Sequence, residues 1–390
     1  MARALITVLY DGWSFIYRPN SPAALHMVAI LANCPTQVKP CLGLPADPPA
    51  WLPETSLAIV WPTPNTTRGR LEWEQWVLPG MCRRIKADLL HMVTSTLPLL
   101  AAQPGVISPA GYGAGWQARQ RRKLTHAIAD TRPTGFIDRL RNALAGGGMA
   151  RARGLFWPED LRTVPPTGIT GPVFHLPPLA LTETDALRPG SQAENAGLNL
   201  PTGYFLYHGT AHPRSLQRLL DAWSWAAGAI GEAYPLLIVG LEEAERERVE
   251  HMAADSGLQA TVQALGQVSP WALLEIYRGC SAFFYPEAVS PWGDPLRQAL
   301  ACGKPVVAYD SPAADAIVGP AAYLVPGDDA RALGAALITV VVEEDVSQAL
   351  SNNARERTSQ WESDRYGGRL LAAYQKILAE PARPAASAFE

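Results

Sequence analysis

Short apolar runs alternate with longer amphipathic segments along most of the 390-residue chain. Ala4–Tyr10 reads as a first buried strand, stopped by Asp11. Ala23–Ala32 reads as a helix, because Asn20-Ser21-Pro22 offers a capping side chain followed by a proline in the first turn. Leu57–Val60, Leu89–Met92 and Val106–Ser108 read as further strands. Strands spaced by helices bury both faces, which predicts a parallel, helix-covered sheet. A polar, Arg-rich and helical stretch is expected over 115–150, ending in Gly146-Gly147-Gly148. The Pro/Gly-rich passage from Pro165 to Pro201 marks a composition shift between domains.

The second half repeats the alternation with cleaner punctuation. Tyr204–His208, Leu236–Val239, Val262–Leu265, Ala282–Tyr285, Pro305–Tyr309 and Tyr323–Val325 are expected strands. Leu216–Ala227, Glu242–Asp255, Trp271–Arg278, Leu296–Ala301 and Ala313–Val318 are expected helices between them. Asp364–Leu378 is an amphipathic helix lying beyond the last strand. The pattern predicts two Rossmann-like α/β domains: residues 1–178, a linker over 179–200, and residues 201–363, with the final helix at 364–380.

Composition narrows the function classes. A net charge of −3 with interspersed signs gives no electrostatic footprint for nucleic acid. The most basic run, Arg119-Gln120-Arg121-Arg122-Lys123, reads either as a solvated helix face or as a contact for an anionic acceptor or a peripheral membrane surface. Five scattered cysteines form no CxxC pair and have no histidine at ligand spacing, which argues against structural zinc and points to a reducing, cytoplasmic setting. No run approaches the ~18 apolar residues of a membrane span.

In open parallel sheets, ligands bind beyond the carboxyl ends of strands, where loops meet helix N-termini. Two loops of the second half have that placement: His208-Gly209-Thr210-Ala211-His212-Pro213-Arg214, and the run from Tyr285 through Ser290-Pro291-Trp292-Gly293-Asp294-Pro295 to Cys302-Gly303-Lys304-Pro305. The second loop resembles the donor-site signature of glycosyltransferase family 4 and its retaining GT-B relatives, E-G-F-G-L-P-x-L-E-A-M-A-x-G-x-P-V-V-A. Trp292 stands at the aromatic position, Gly293 at the second glycine, Pro295 at the proline, and Ala299 to Ala308 over the helix and next strand. Leu237-Ile238-Val239-Gly240, Leu265-Gly266-Gln267-Val268 and Ala321–Asp328 continue the likeness in the same order, over about 170 residues.

The resemblance implies a GT-B fold, with two Rossmann-like domains facing a cleft and the last helix crossing back to the first. It further implies transfer of a sugar from a nucleotide diphosphate donor to a saccharide, lipid or protein acceptor, with configuration retained and with neither metal nor cofactor. The implied donor-binding set is Gly209, Thr210, Arg214, Ser290, Pro291, Trp292, Gly293, Asp294, Pro295 and Gln298. Arg214 is the guanidinium expected on the diphosphate. On the acceptor side, Asn20 and Ser21 occupy the place of a glycine-rich loop, and His91, at a strand end, reads either as facing the same cleft or as a structural histidine. The chain departs from the family where charge matters: Ser290 and Gln298 replace the two signature glutamates, and no lysine follows Arg214. These substitutions leave an alternative open, a catalytically inactive GT-B protein that binds nucleotide or glycan, or regulates a partner. Glu287 and Asp294 lie near but lack the spacing to take over both roles.

Overall fold

The structure, a computed structural model, describes residues 5–52, 57–94, 97–99, 101–110, 136–137, 139–140, 144, 151–162, 172–181, 198, 200–209, 211–287, 289–290, 292, 294–326, 329–361 and 363–380. The Arg119–Lys123 run, Thr210, Pro291 and Gly293 fall outside these residues, as does most of the helix expected over 115–150.

Two parallel sheets organise the chain. The first has the order β3-β2-β1-β4-β5-β6-β7, from β1 (Ile6–Asp11), β2 (Val38–Leu44), β3 (Leu57–Val60), β4 (Leu89–Met92), β5 (Gly105–Ile107), β6 (Gly154–Pro158) and β7 (Val173–Leu176). The second has the order β10-β9-β8-β11-β12-β13, from β8 (Phe205–Tyr207), β9 (Leu236–Leu241), β10 (Val262–Gly266), β11 (Ala282–Tyr285), β12 (Val306–Tyr309) and β13 (Ala322–Val325). Each sheet reverses its winding once, between β1 and β4 and between β8 and β11. Such reversals open the crevice in which doubly wound folds take ligands.

Several elements differ from the pattern reading. Strand β2 carries Pro40 and Gly43, which demote a strand in sequence, yet it pairs with β1 in register from Ile6 with Val38 to Asp11 with Gly43. Val173–Leu176, inside the expected linker passage, is the edge strand β7 paired with β6. Thr67 to Ile85 forms a helix interrupted by a π turn at Trp73–Val77.

The cap expected at Ser21 holds: it accepts the Ala24 N–H at the start of the Pro22–Ala32 helix. Ser311 and Ser269, not singled out in sequence, serve the Pro312–Val318 and Pro270–Gly279 helices in the same way. The final helix, Ser363–Ala379, returns to the first sheet and packs along β7. One buried core runs from both faces of the first sheet into the inner face of the second, joining Leu9, Leu90 and Tyr374 to Leu237, Phe283 and Trp292. A separate core under Trp223 and Leu337 covers the outer face of the second sheet.

Candidate functional site at the domain junction

At the winding reversal of the second sheet, β8 and β11 are neighbours, and their carboxyl ends deliver the two loops singled out in sequence. The loops touch: the Tyr207 hydroxyl donates to Glu287, and Tyr207 stacks on Tyr285 with centroids 6.5 Å apart. Gly209 is required here, since a Cβ would stand 2.6 Å from the Tyr207 hydroxyl. Arg214 is exposed in the first turn of the Pro213–Ile230 helix, whose N-cap is His212. The Asp294–Ala301 helix begins directly after the second loop, so its free backbone N–H groups lie at the same reversal. Ser290 is buried, as is Pro295 in the first turn of that helix. The side chain of Asp294 is outside the described set.

The carboxyl ends of the first sheet meet this loop cluster, and the meeting is specific. Asn20 behaves like a piece of backbone: its Nδ2 donates to the Val268 carbonyl and its Oδ1 accepts the Val268 N–H, both at 2.8 Å. The Asn20 carbonyl lies 2.5 Å from His208 Nε2, and His208 Nδ1 lies 2.8 Å from the Tyr277 hydroxyl. The carbonyl can only accept, so Nε2 carries the ring proton and Nδ1 accepts from Tyr277. Burial lowers the His208 pKa to about 4. Opposite Asn20, Gly240 has φ +84°, and a Cβ there would lie 3.0 Å from the Asn20 Cβ. Arg18, on the same approach, pairs with Glu242 at 2.8 Å and Glu245 at 3.1 Å.

Trp292 is wholly buried, with its ring 4.4 Å from that of His26 on the Pro22–Ala32 helix. Its carbonyl accepts from Arg297 Nε. Arg297 is also fully buried and grips Asp160 of the first domain through two bonds, at 2.6 and 2.8 Å. Trp361 lies 5.7 Å from the guanidinium. Gln298, one residue on, repeats the backbone mimicry of Asn20. Its Oε1 accepts the Leu181 N–H and its Nε2 donates to the Leu181 carbonyl, both at 3.0 Å.

The structure therefore brings Gly209, Arg214, Ser290, Trp292, Pro295, Gln298 and Asn20 to one junction. It does not bring His91 there. Of the two readings of His91, cleft-facing or structural, the structure bears out the structural one: it is sealed inside the first domain. Its Nδ1 is 2.7 Å from the Tyr374 hydroxyl, and its Nε2 is 2.7 Å from Ser108 Oγ. Tyr10 completes the group, 3.0 Å from Tyr374. Desolvation, with a smaller push from His26, holds His91 well below its ordinary pKa, so it stays neutral. Ser21 is occupied as a helix cap.

Two features escaped the sequence reading. One is Arg297 with Asp160; the available signal was a charge on a helix position where the signature has leucine. The other is the buried group around Asp11, at the carboxyl end of β1. There Arg70 bonds Asp11 at 2.6 Å and Glu74 at 2.7 Å, and the Trp73 indole donates to Asp11 at 2.8 Å. Those partners lie about sixty residues from Asp11, beyond any local pattern. Among the described residues, no group of three His, Cys, Asp or Glu side chains converges as a metal site, and no helix is long and apolar enough to cross a membrane.

Two parallel sheets meeting at their carboxyl ends, with a terminal helix returning to the first, define the GT-B class of α/β folds. Residues 192–357 match the family described as Glycosyl transferases group 1, and the likeness to that group read from the donor loop holds. O-antigen chain mannosyltransferase B of Escherichia coli is 24% identical over 176 residues, 45% of this chain and 46% of that protein. The chain thus spans under half the length of this curated relative. Among solved structures, sucrose-phosphate synthase from Thermosynechococcus elongatus superposes with a TM-score of 0.67 at 17% identity, over 96% of this chain and 99% of that one. WaaG, a glycosyltransferase involved in lipopolysaccharide biosynthesis, gives 0.67 at 14%, over 96% and 100%. HepE of Anabaena, solved with UDP and glucose, gives 0.63 at 14%, over 95% and 99%.

Proposed function

We propose that the chain is a glycosyltransferase that moves a sugar from a nucleotide diphosphate donor to a saccharide, lipid or protein acceptor, with configuration retained. The observation that carries this reading is the convergence of the two signature loops at the β8/β11 reversal, with a helix N-terminus starting there. A departing diphosphate gathers negative charge, and backbone N–H groups with a nearby guanidinium stabilise that charge as it develops. In this reading Gly209, Thr210 and Arg214 form one wall of the donor site, and Ser290 to Pro295 form the other. No metal takes part, because these groups supply the positive potential. Asn20 and Ser21 border the acceptor side. The five cysteines, all free, fit a reaction in the cytoplasm or at the inner face of its membrane.

Neutral residues at the signature carboxylate positions change how the donor is held. Ser290 reaches a single hydroxyl, and the Gln298 carboxamide is engaged by Leu181. Sugar orientation then rests on neutral hydrogen bonds, about half as strong as charge-assisted ones.

Nucleotide release from UDP-, GDP- and ADP-sugars, with and without simple saccharide acceptors, tests the activity. Arg214→Ala is expected to weaken nucleotide diphosphate binding by about 1.5–3 kcal/mol. Nucleotide binding without release from any donor would favour the catalytically inactive, binding-only reading. Unchanged affinity in Arg214→Ala would remove that residue from the site.

A further inference from the structure

A second basic pocket lies away from the domain junction, between the edge strand β7 and the return helix, with a volume of about 330 Å³. Two segments distant in sequence supply its charge, Arg162 after β6 and Arg369 with Lys376 on the helix, and His175 on β7 joins the lining. Arg369 and Lys376 are seven residues apart, two turns on one helix face, so both side chains border the same groove about 10 Å apart along the axis. The floor between them is apolar, with Ala373 buried and Phe174 half-buried, and Lys376 Nζ sits 5.7 Å from the Phe174 ring.

Among the described residues, nearby acids are engaged mainly elsewhere. Asp160 is held by Arg297. Glu159 is held by Arg365 at 3.0 and 3.1 Å and reaches Arg162 only at 3.8 Å. Among the described residues, the pocket is lined by no carboxylate. His175 Nδ1 is buried without a hydrogen-bond partner.

Cations gathered at one concavity repel each other, and an anion that bridges them relieves the repulsion. We propose that this pocket binds an organic phosphate, with phosphoryl oxygens between Arg162, Arg369 and Lys376 and an apolar substituent against Phe174. The spacing of the helix cations suits a diphosphate better than a single small anion. The inference does not depend on sugar transfer and concerns a site separate from the proposed donor loops.

Inorganic pyrophosphate titrated into the full-length protein by calorimetry is the first test, against sodium chloride at matched ionic strength. Arg369→Glu/Lys376→Glu is expected to weaken pyrophosphate binding by about tenfold or more, the order expected for lost charge-assisted bonds. Arg214→Ala, at the other site, is expected to retain the pyrophosphate event that the double variant loses. Both helix side chains are exposed, so the variant should fold, and Arg162→Ala provides an independent probe. Flotation with phosphatidylglycerol vesicles, against pure phosphatidylcholine, identifies the source of the phosphate. Flotation lost in the double variant indicates a lipid headgroup; pyrophosphate binding without flotation indicates a soluble phosphorylated ligand. The proposal is overturned if the double variant binds pyrophosphate as wild type does, or if chloride at equal ionic strength produces the same response.

Discussion

At the scale of single residues, the junction is held by polar side chains paired across the domain boundary. Arg297 is the clearest case, a guanidinium with no solvent exposure whose charge is answered by Asp160 across the domain boundary. Removing one member of a buried pair leaves the other charge without compensation, whereas removing both can be nearly neutral. Asp160→Ala is therefore expected to lower unfolding free energy by about 3 kcal/mol. Arg297→Leu combined with Asp160→Ala should recover most of that loss. A double variant as unstable as the single one in urea unfolding would show that the charge pairing is not what the junction needs. This residue was visible in the sequence only as a departure from the signature, since its partner is 137 positions away. His91 carried two readings in sequence, cleft-facing or structural, for a related reason. Its strand was legible, but the tyrosine that seals it comes from a helix 283 residues later.

At the scale of elements, local chemistry was enough wherever the cue was local. The proline-containing cap at Ser21 specifies a helix start, and the short apolar runs of the second half specify its strands. Strand β2 was hidden because Pro40 and Gly43 argue against a strand, and only pairing on both sides, with β1 and β3, overrides them. The helices Ala330–Val342 and Glu344–Thr358 were also missed. The first packs so closely on the Pro213–Ile230 helix that a Cβ at Gly334 would lie 2.4 Å from the Trp225 Cβ and 3.0 Å from the Ala222 carbonyl. Gly334→Ala must push the two helices apart, and overpacking of this kind costs about 1–3 kcal/mol. A midpoint shift in chemical denaturation measures it, and unchanged stability would mean that the helices separate freely.

At the scale of the molecule, the shared core and the paired side chains join the two domains into one folding unit. Calorimetry is expected to give a single transition, with equal calorimetric and van't Hoff enthalpies; two resolved transitions would contradict the continuous core. The junction should also respond to acid. His208 is held neutral, with its pKa lowered from 6.5 to about 4. The unfolded chain therefore takes up a proton that the folded chain refuses, and the stabilising effect present above about pH 6.5 is lost as pH falls towards 4. The shift corresponds to roughly 3 kcal/mol across that window. His91, also lowered, adds loss of the same sign. Melting temperature should fall between pH 7 and pH 5, and His208→Gln should flatten the slope without abolishing it. An identical slope in that variant would exclude His208 as a source.

Because Tyr374 lies on the return helix, the first domain is finished by residues made only after the whole second sheet. During synthesis the strands of that domain emerge early, with Tyr10 and His91 already in place on β1 and β4 but still lacking the hydroxyl that bonds both. Folding from the amino end can form the sheet but cannot close this polar group until translation has passed the whole second domain. A chain stopped before Ser363 should therefore retain the parallel sheet yet leave the imidazole of His91 open to water. The order of manufacture and the order of completion run opposite ways in this protein.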